Sequence, residues 1–232
     1  MNNNIKYLIM DVDGTLTDGK LYIGNQGEQF KVFDVKDGYG IKNILSQNHI
    51  RPIVLTARTS KIVEKRCDEL GITACYQGIK EKEKQLKYIL EEMGERDNPL
   101  KSCAYIGDDI PDLQCMIEVK KAGGIIACPA NAIQEVCAIS DYVCKRNAGN
   151  GAVREFIEWL TNINDVNTNL QMRVNKAVDY LKNLDLKKLE DSEGSIVIVK
   201  EGKIYAVINP NVDTLKNDNE VRNWLSKYIK ID

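Results

Sequence analysis

Several things that would announce a function are scarce or missing in this chain of 232 residues. Charge of one sign is missing: 32 Lys+Arg against 34 Asp+Glu leave a net charge of −2, which argues against a nucleic-acid-binding surface. No apolar run approaches the roughly 20 residues that span a bilayer, so no membrane partner is expected. The polar start Met1-Asn2-Asn3-Asn4 lacks the basic-then-apolar pattern of a secretory leader, and a cytoplasmic location is expected. The seven cysteines are odd in number and form no C-x-x-C pair. Several lie inside apolar runs, as Cys103 does in Ser102-Cys103-Ala104-Tyr105-Ile106, and read as reduced core thiols rather than a disulfide or zinc framework. The one histidine, His49, lies in a polar turn ahead of Arg51-Pro52 and reads as structural.

What is present is an alternation of short apolar strands with amphipathic helices through about residue 160. Strands are expected at 5–10, 52–55, 73–76, 102–106, 124–127 and 141–143. Helices are expected at 38–48, 59–70, 80–93, 110–118, 131–137 and 150–160. This pattern predicts an α/β fold, a Rossmann-like parallel sheet with helices on both faces. A hairpin with strands at 21–23 and 29–33 interrupts the alternation after strand one. Residues 1–160 thus form one domain, and an Asn-, Thr- and Asp-rich stretch at 161–170 reads as a linker. Residues 171–232 read as a small α+β extension: a helix at 171–183, a hairpin at 196–208 and a helix at 218–229. Some 65 residues are marginal as an independent domain, and an accessory role is expected for them.

Chemistry concentrates where apolar strands end in polar groups. Tyr7-Leu8-Ile9-Met10 runs into Asp11-Val12-Asp13-Gly14-Thr15-Leu16. Two carboxylates this close repel unless a cation or a proton sits between them, and the carboxyl ends of parallel strands are where ligands bind. Ile53-Val54-Leu55 ends in Thr56-Ala57-Arg58, and Ala104-Tyr105-Ile106 in Gly107-Asp108-Asp109 with Asp112 one turn further on. Between them lies a lysine-rich helix start, Lys80-Glu81-Lys82-Glu83-Lys84, preceded by Gln77-Gly78.

In this order the segments resemble the motifs of the haloacid dehalogenase superfamily of phosphohydrolases over about residues 5–160. The resemblance implies Asp11 as nucleophile, through an aspartyl-phosphate, and Asp13 as general acid and base. It implies Thr56 and Lys82 as holders of the phosphoryl oxygens. Magnesium is the implied cofactor, held by the Asp11 carboxylate, the Asp13 main-chain carbonyl and the Asp108 carboxylate. Asp109 and Asp112 are implied to support Lys82 or water near the metal.

About 40 residues separate Asp13 from Thr56, and about 25 separate Thr56 from Lys82, too few to hold a cap domain. Capless members close an otherwise open site by assembling through the hairpin, and a homotetramer is expected. DVDGTLTDG at 11–19, FDVKDGYGI at 33–41, LTAR at 55–58 and GNGAVRE at 149–155 are similar to the branch that removes phosphate from eight- and nine-carbon ulosonic acids. Its substrates, 3-deoxy-D-manno-octulosonate 8-phosphate of lipopolysaccharide synthesis and acylneuraminate 9-phosphate of sialic-acid metabolism or its deaminated analogue, carry both carboxylate and phosphate. Lys36 and Arg58 are the candidate cations at the mouth, with Ala57 beside them, and Asp37-Gly38 the candidate sugar contacts. The chain departs from the branch in having Ala57 where Gly is usual and Asn150 where a basic residue normally helps bind substrate; Lys145 and Arg146 lie just upstream. Hydrolysis of another small phosphate ester, or a non-catalytic oligomerisation role in a sugar-nucleotide pathway, are the alternatives.

Overall fold

A computed structural model describes residues 5–162 and the strands at 187–190, 196–200 and 203–208. The chain separates into two units, Met1–Asn164 and Asp165–Asp232. In the first, strands β1 (Tyr7–Met10), β4 (Arg51–Leu55), β5 (Ala74–Tyr76), β6 (Cys103–Ile106), β7 (Ile125–Cys128) and β8 (Tyr142–Val143) form a six-stranded sheet in the order β5-β4-β1-β6-β7-β8. Every pairing is parallel, with β1 hydrogen-bonded to β4 and β6 on its two sides. All four residues of β1 are buried, as a strand covered on both faces requires.

The pleat divides β1 between two cores. Leu8 and Met10 pack with Ile41, Leu45, Val63, Phe156 and Ile157. Tyr7 and Ile9 pack with Leu86, Ile89, Leu90, Met116 and Val119. The covering helices are α1 (Val35–Tyr39), α2 (Leu45–Gln47), α3 (Lys61–Leu70), α4 (Lys82–Glu92), α5 (Ile110–Lys121), α6 (Gln134–Ile139) and α7, whose described part is residues 152–162. The expected Rossmann-like parallel sheet is therefore present.

Element ends differ from the expected ones for local reasons. The first helix starts at Val35 rather than 38 because the Asp34 carboxylate accepts the Lys36 N–H at 2.7 Å and caps it. It continues through a wider turn at Gly40–Ile44 before α2. The hairpin is tighter than expected: β2 (Tyr22–Gly24) pairs antiparallel with β3 (Gly27–Phe30), and Tyr22 stacks on Phe30 at 4.4 Å. Phe33 makes only an isolated bridge to Thr17.

The second unit holds an antiparallel sheet of β9 (Lys187–Glu190), β10 (Ile196–Lys200) and β11 (Lys203–Ile208), with β10 central. The expected hairpin is β10–β11; β9, in a lysine-rich stretch, was not foreseen. The expected helices at 171–183 and 218–229 lie outside the described residues, as does most of the stretch read as a linker. Among the described residues no helix is long and apolar enough to cross a membrane.

Candidate active site

The parallel ladder carries β1 one residue past its last strand position, because the Asp11 N–H donates to Ile106 O at 3.1 Å. The chain then turns through Val12–Leu16 and closes with Thr17 N–H on Val12 O at 3.0 Å. Gly14 makes this turn possible. Its φ is +93°, and a Cβ there would lie 2.0 Å from Asp108 Oδ2, so only a residue without one lets the loops after β1 and β6 touch. Thr15 Oγ1 donates across that contact to Asp108 Oδ1 at 3.1 Å.

Lys82, the first residue of α4, is buried and reaches the end of β1 and the first turn of α5 at once. Its Nζ donates to Asp11 Oδ1 at 2.6 Å and to Asp112 Oδ1 at 2.7 Å. Asp112 is fully committed: Oδ1 also accepts the Tyr105 hydroxyl at 2.7 Å, and Oδ2 accepts the N–H groups of Asp108 at 3.1 Å and Asp109 at 3.4 Å. Asp109 is the N-cap of α5, accepting the Ile110 N–H at 2.7 Å, and forms a capping box with Asp112.

Burial and the Asp112 charge push the Asp11 carboxyl up to about 7, against the opposing pull of Lys82. Burial and the charges of Asp11 and Asp112 push Asp108 to about 7 as well. Burial by itself lowers the Lys82 pKa, but Asp11 and Asp112 outweigh it, and the net shift is upward. Two carboxyls held this far above their ordinary range are short of positive charge, the condition a divalent cation relieves. One oxygen each from Asp11, Asp108 and Asp112 lie within 4.8 Å of one another. Since both Asp112 oxygens are engaged, Asp11 and Asp108 have the donor capacity to hold a hard cation through oxygen.

Asp13 lies on the outer side of this cluster, ion-paired with Lys31 and with its Oδ2 3.6 Å from Arg58 Nε. Thr56 is buried at the end of β4, where its N–H donates to Tyr76 O and its carbonyl accepts Ile79 N–H, both at 3.0 Å. Ala57 and Arg58 are exposed beside it.

The other candidates are placed differently. Lys36 is half exposed and paired with Asp34 at 3.0 Å. Asp37 is buried, accepts the Arg154 N–H at 2.7 Å and thereby ties α1 to α7. Gly38 packs under Arg66, whose Nη2 lies 2.4 Å from where a Cβ would stand. None of these three makes a hydrogen bond to the Asp11–Lys82–Asp112 cluster. Three contributors fall outside the set expected from the sequence: Thr15, Tyr105 and Lys31. Thr15 lies inside the Asp11–Leu16 motif, and Tyr105 is the one hydroxyl in an otherwise apolar strand. Lys31 has a signal too, a lysine between Phe30 and Val32 in the stretch 29–33 that the sequence pattern marks as a strand.

A parallel sheet whose strand ends and following helix gather three carboxylates beside a buried lysine is the architecture of haloacid dehalogenase-type phosphohydrolases. No family model matches the chain. Among characterised relatives, 3-deoxy-D-manno-octulosonate 8-phosphate phosphatase KdsC of Escherichia coli K12 is 41% identical over 157 residues, which is 68% of this chain and 79% of that one. The crystal structure of the Yersinia pestis octulosonate phosphatase has a TM-score of 0.64 at 37% identity, covering 71% of this chain and 84% of that one. The Moraxella catarrhalis enzyme, solved with magnesium, phosphate and the octulosonate sugar, has a TM-score of 0.64 at 35% identity, covering 75% and 95%. The chain belongs to the family of 3-deoxy-D-manno-octulosonate 8-phosphate phosphatases within that superfamily.

Proposed function

We infer that this chain is a magnesium-dependent phosphoric monoester hydrolase that removes the terminal phosphate of 3-deoxy-D-manno-octulosonate 8-phosphate, the substrate named for its relatives. The observation that carries the reading is Lys82, buried and bonded to both Asp11 and Asp112 next to Asp108. A structural role alone gives no reason to bury so many charges together.

In this reading an Asp11 oxygen attacks phosphorus, the bond to the sugar oxygen breaks, and Asp13 gives that oxygen a proton. Asp13 then takes a proton from the water that attacks the aspartyl-phosphate, which releases phosphate and frees Asp11. Lys82 and Thr56 hold the equatorial oxygens as charge gathers on them. Asp11, Asp108 and the Asp13 main-chain carbonyl would hold the magnesium ion, which would supply positive charge against the phosphoryl group. Arg58, beside Asp13 and open to solvent, suits the substrate carboxylate. Lys36 is half exposed, and its Cε stands 3.3 Å from where a Gly151 Cβ would be, next to Asn150.

The reading includes a homotetramer, because the hairpin and the chain beyond it expose Leu21, Ile23, Phe30, Val32, Val35 and Tyr39. It also includes a cytoplasmic location, which seven free thiols suit. The test is phosphate release from octulosonate 8-phosphate, acylneuraminate 9-phosphate and an aryl phosphate, with magnesium and with chelator. Fast, chelator-sensitive release from the octulosonate is expected. Preference for the nine-carbon ester moves the substrate assignment to acylneuraminate, and equal slow release from all three defeats the ulosonate reading.

A further inference from the structure

The hairpin carries a charge where its pattern calls for an apolar residue. Phe30 and Val32 are 52% and 42% exposed, while the Lys31 side chain between them is 1% exposed. In a strand that is apolar inside and polar outside the assignment would be the reverse. A buried ammonium needs acceptors, and Lys31 has two: the Asp13 carboxylate and Glu28 Oε1 at 3.0 Å. Glu28 in turn accepts the Ser60 hydroxyl. Ser60 is the N-cap of α3, bonded to Ile62 N–H at 3.2 Å, and its own N–H donates to Gln77 Oε1 at 2.8 Å. A continuous polar chain therefore runs from the loop that carries Asp13, through the hairpin, to the segment just after Thr56-Ala57-Arg58.

We propose that Lys31 is a positioning residue for Asp13: the hairpin delivers an ammonium that holds one Asp13 oxygen, while the Glu28–Ser60 bridge fixes the hairpin against the loop after β4. The proposal rests on the acid–base role read for Asp13 above. Of the two Asp13 oxygens, Oδ1 is held by Lys31, and Oδ2, 3.6 Å from Arg58 Nε, is left to face the leaving oxygen. The proton given to the sugar oxygen comes from Asp13; Lys31 neither donates nor accepts one. The hairpin thus has a task inside the site as well as an outward apolar face, and the two tasks fall on alternate residues where β3 ends at Phe30 and the chain runs on through Lys31 and Val32.

The test compares leaving groups. A sugar alkoxide needs a proton to depart, whereas a nitrophenolate leaves without one, and kcat/KM reports the step in which the ester bond breaks. In the full chain with magnesium, Lys31→Met is expected to lower kcat/KM for octulosonate 8-phosphate about 100-fold and for p-nitrophenyl phosphate less than about tenfold. Lys31→Arg is expected to recover most of the difference. Glu28→Gln should show the same selectivity at smaller size, and it decides the matter if Lys31→Met does not fold. Equal losses on both esters, or no loss, overturn the proposal. Asp13→Asn separates the two layers. If it shows the selective loss and the Lys31 and Glu28 variants do not, only Lys31 is misassigned. If Asp13→Asn lacks the selectivity, the acid–base reading falls and the proposal with it.

Discussion

Lys82 occupies a position in the sequence that belongs to a leucine. The buried residues of α4 are Lys82, Leu86, Ile89 and Leu90, spaced i, i+4, i+7 and i+8 along one helical face. A lysine in that stripe is stable only if its charge is met, and Asp11 and Asp112 meet it. Removing it leaves two buried carboxylates facing each other. Lys82→Met is therefore expected to lower the unfolding free energy of the metal-free protein by about 3 kcal/mol, read from urea denaturation, and to reduce turnover at least about 100-fold. An unchanged denaturation midpoint would contradict the ion-pair account. Lys80, Lys82 and Lys84 look alike in the sequence, and the helical period alone singles out the middle one. Asp112 was legible only as a supporting acid. That it is saturated by Lys82, Tyr105 and two backbone N–H groups depends on β6 and α5 meeting, which no local pattern specifies.

At the level of elements, Asp37 joins two helices far apart in sequence. Its carboxylate accepts the Arg154 N–H at the start of α7, and burial raises its pKa to about 6 from 3.8. The unfolded chain titrates near the ordinary value, so between pH 3.8 and about 6 the folded state binds more protons. Stability from this group therefore falls as pH rises through that window and is lowest above it. The change is on the order of 3 kcal/mol at most. Denaturation of wild type and Asp37→Asn at pH 4.5, 5.5 and 7 should show the wild type losing stability relative to the variant as pH increases; a constant difference would refute the raised pKa. In sequence, Asp37 beside Gly38 looked like a sugar contact. It is an acceptor in the scaffold because α1 begins three residues earlier than periodicity suggested, and this turns Asp37 inward.

At the scale of the whole molecule, the apolar face of the hairpin, exposed among the described residues, is a feature that a single copy leaves unexplained. Monomers rarely leave such patches open to solvent. Light scattering of the full chain is expected to give a mass near four times 26.2 kDa. Ile23→Asp, at a residue 66% exposed, is expected to reduce the mass and the turnover together. A monomeric wild type with full activity rules the assembly out.

The sequence by itself determined the parallel α/β sheet and the identity of the strand-end residues, because both follow from local periodicity and from charges placed where an apolar run stops. The short spacings between motifs likewise left no room for a cap. Tertiary structure alone decided which charges meet. Lys31 and Asp13, Lys82 and Asp112, and Asp37 and Arg154 are separated by 18, 30 and 117 positions respectively. Their pairing depends on how strands and helices pack, and the packing then sets which carboxylates stay free for a metal and which are consumed by the fold.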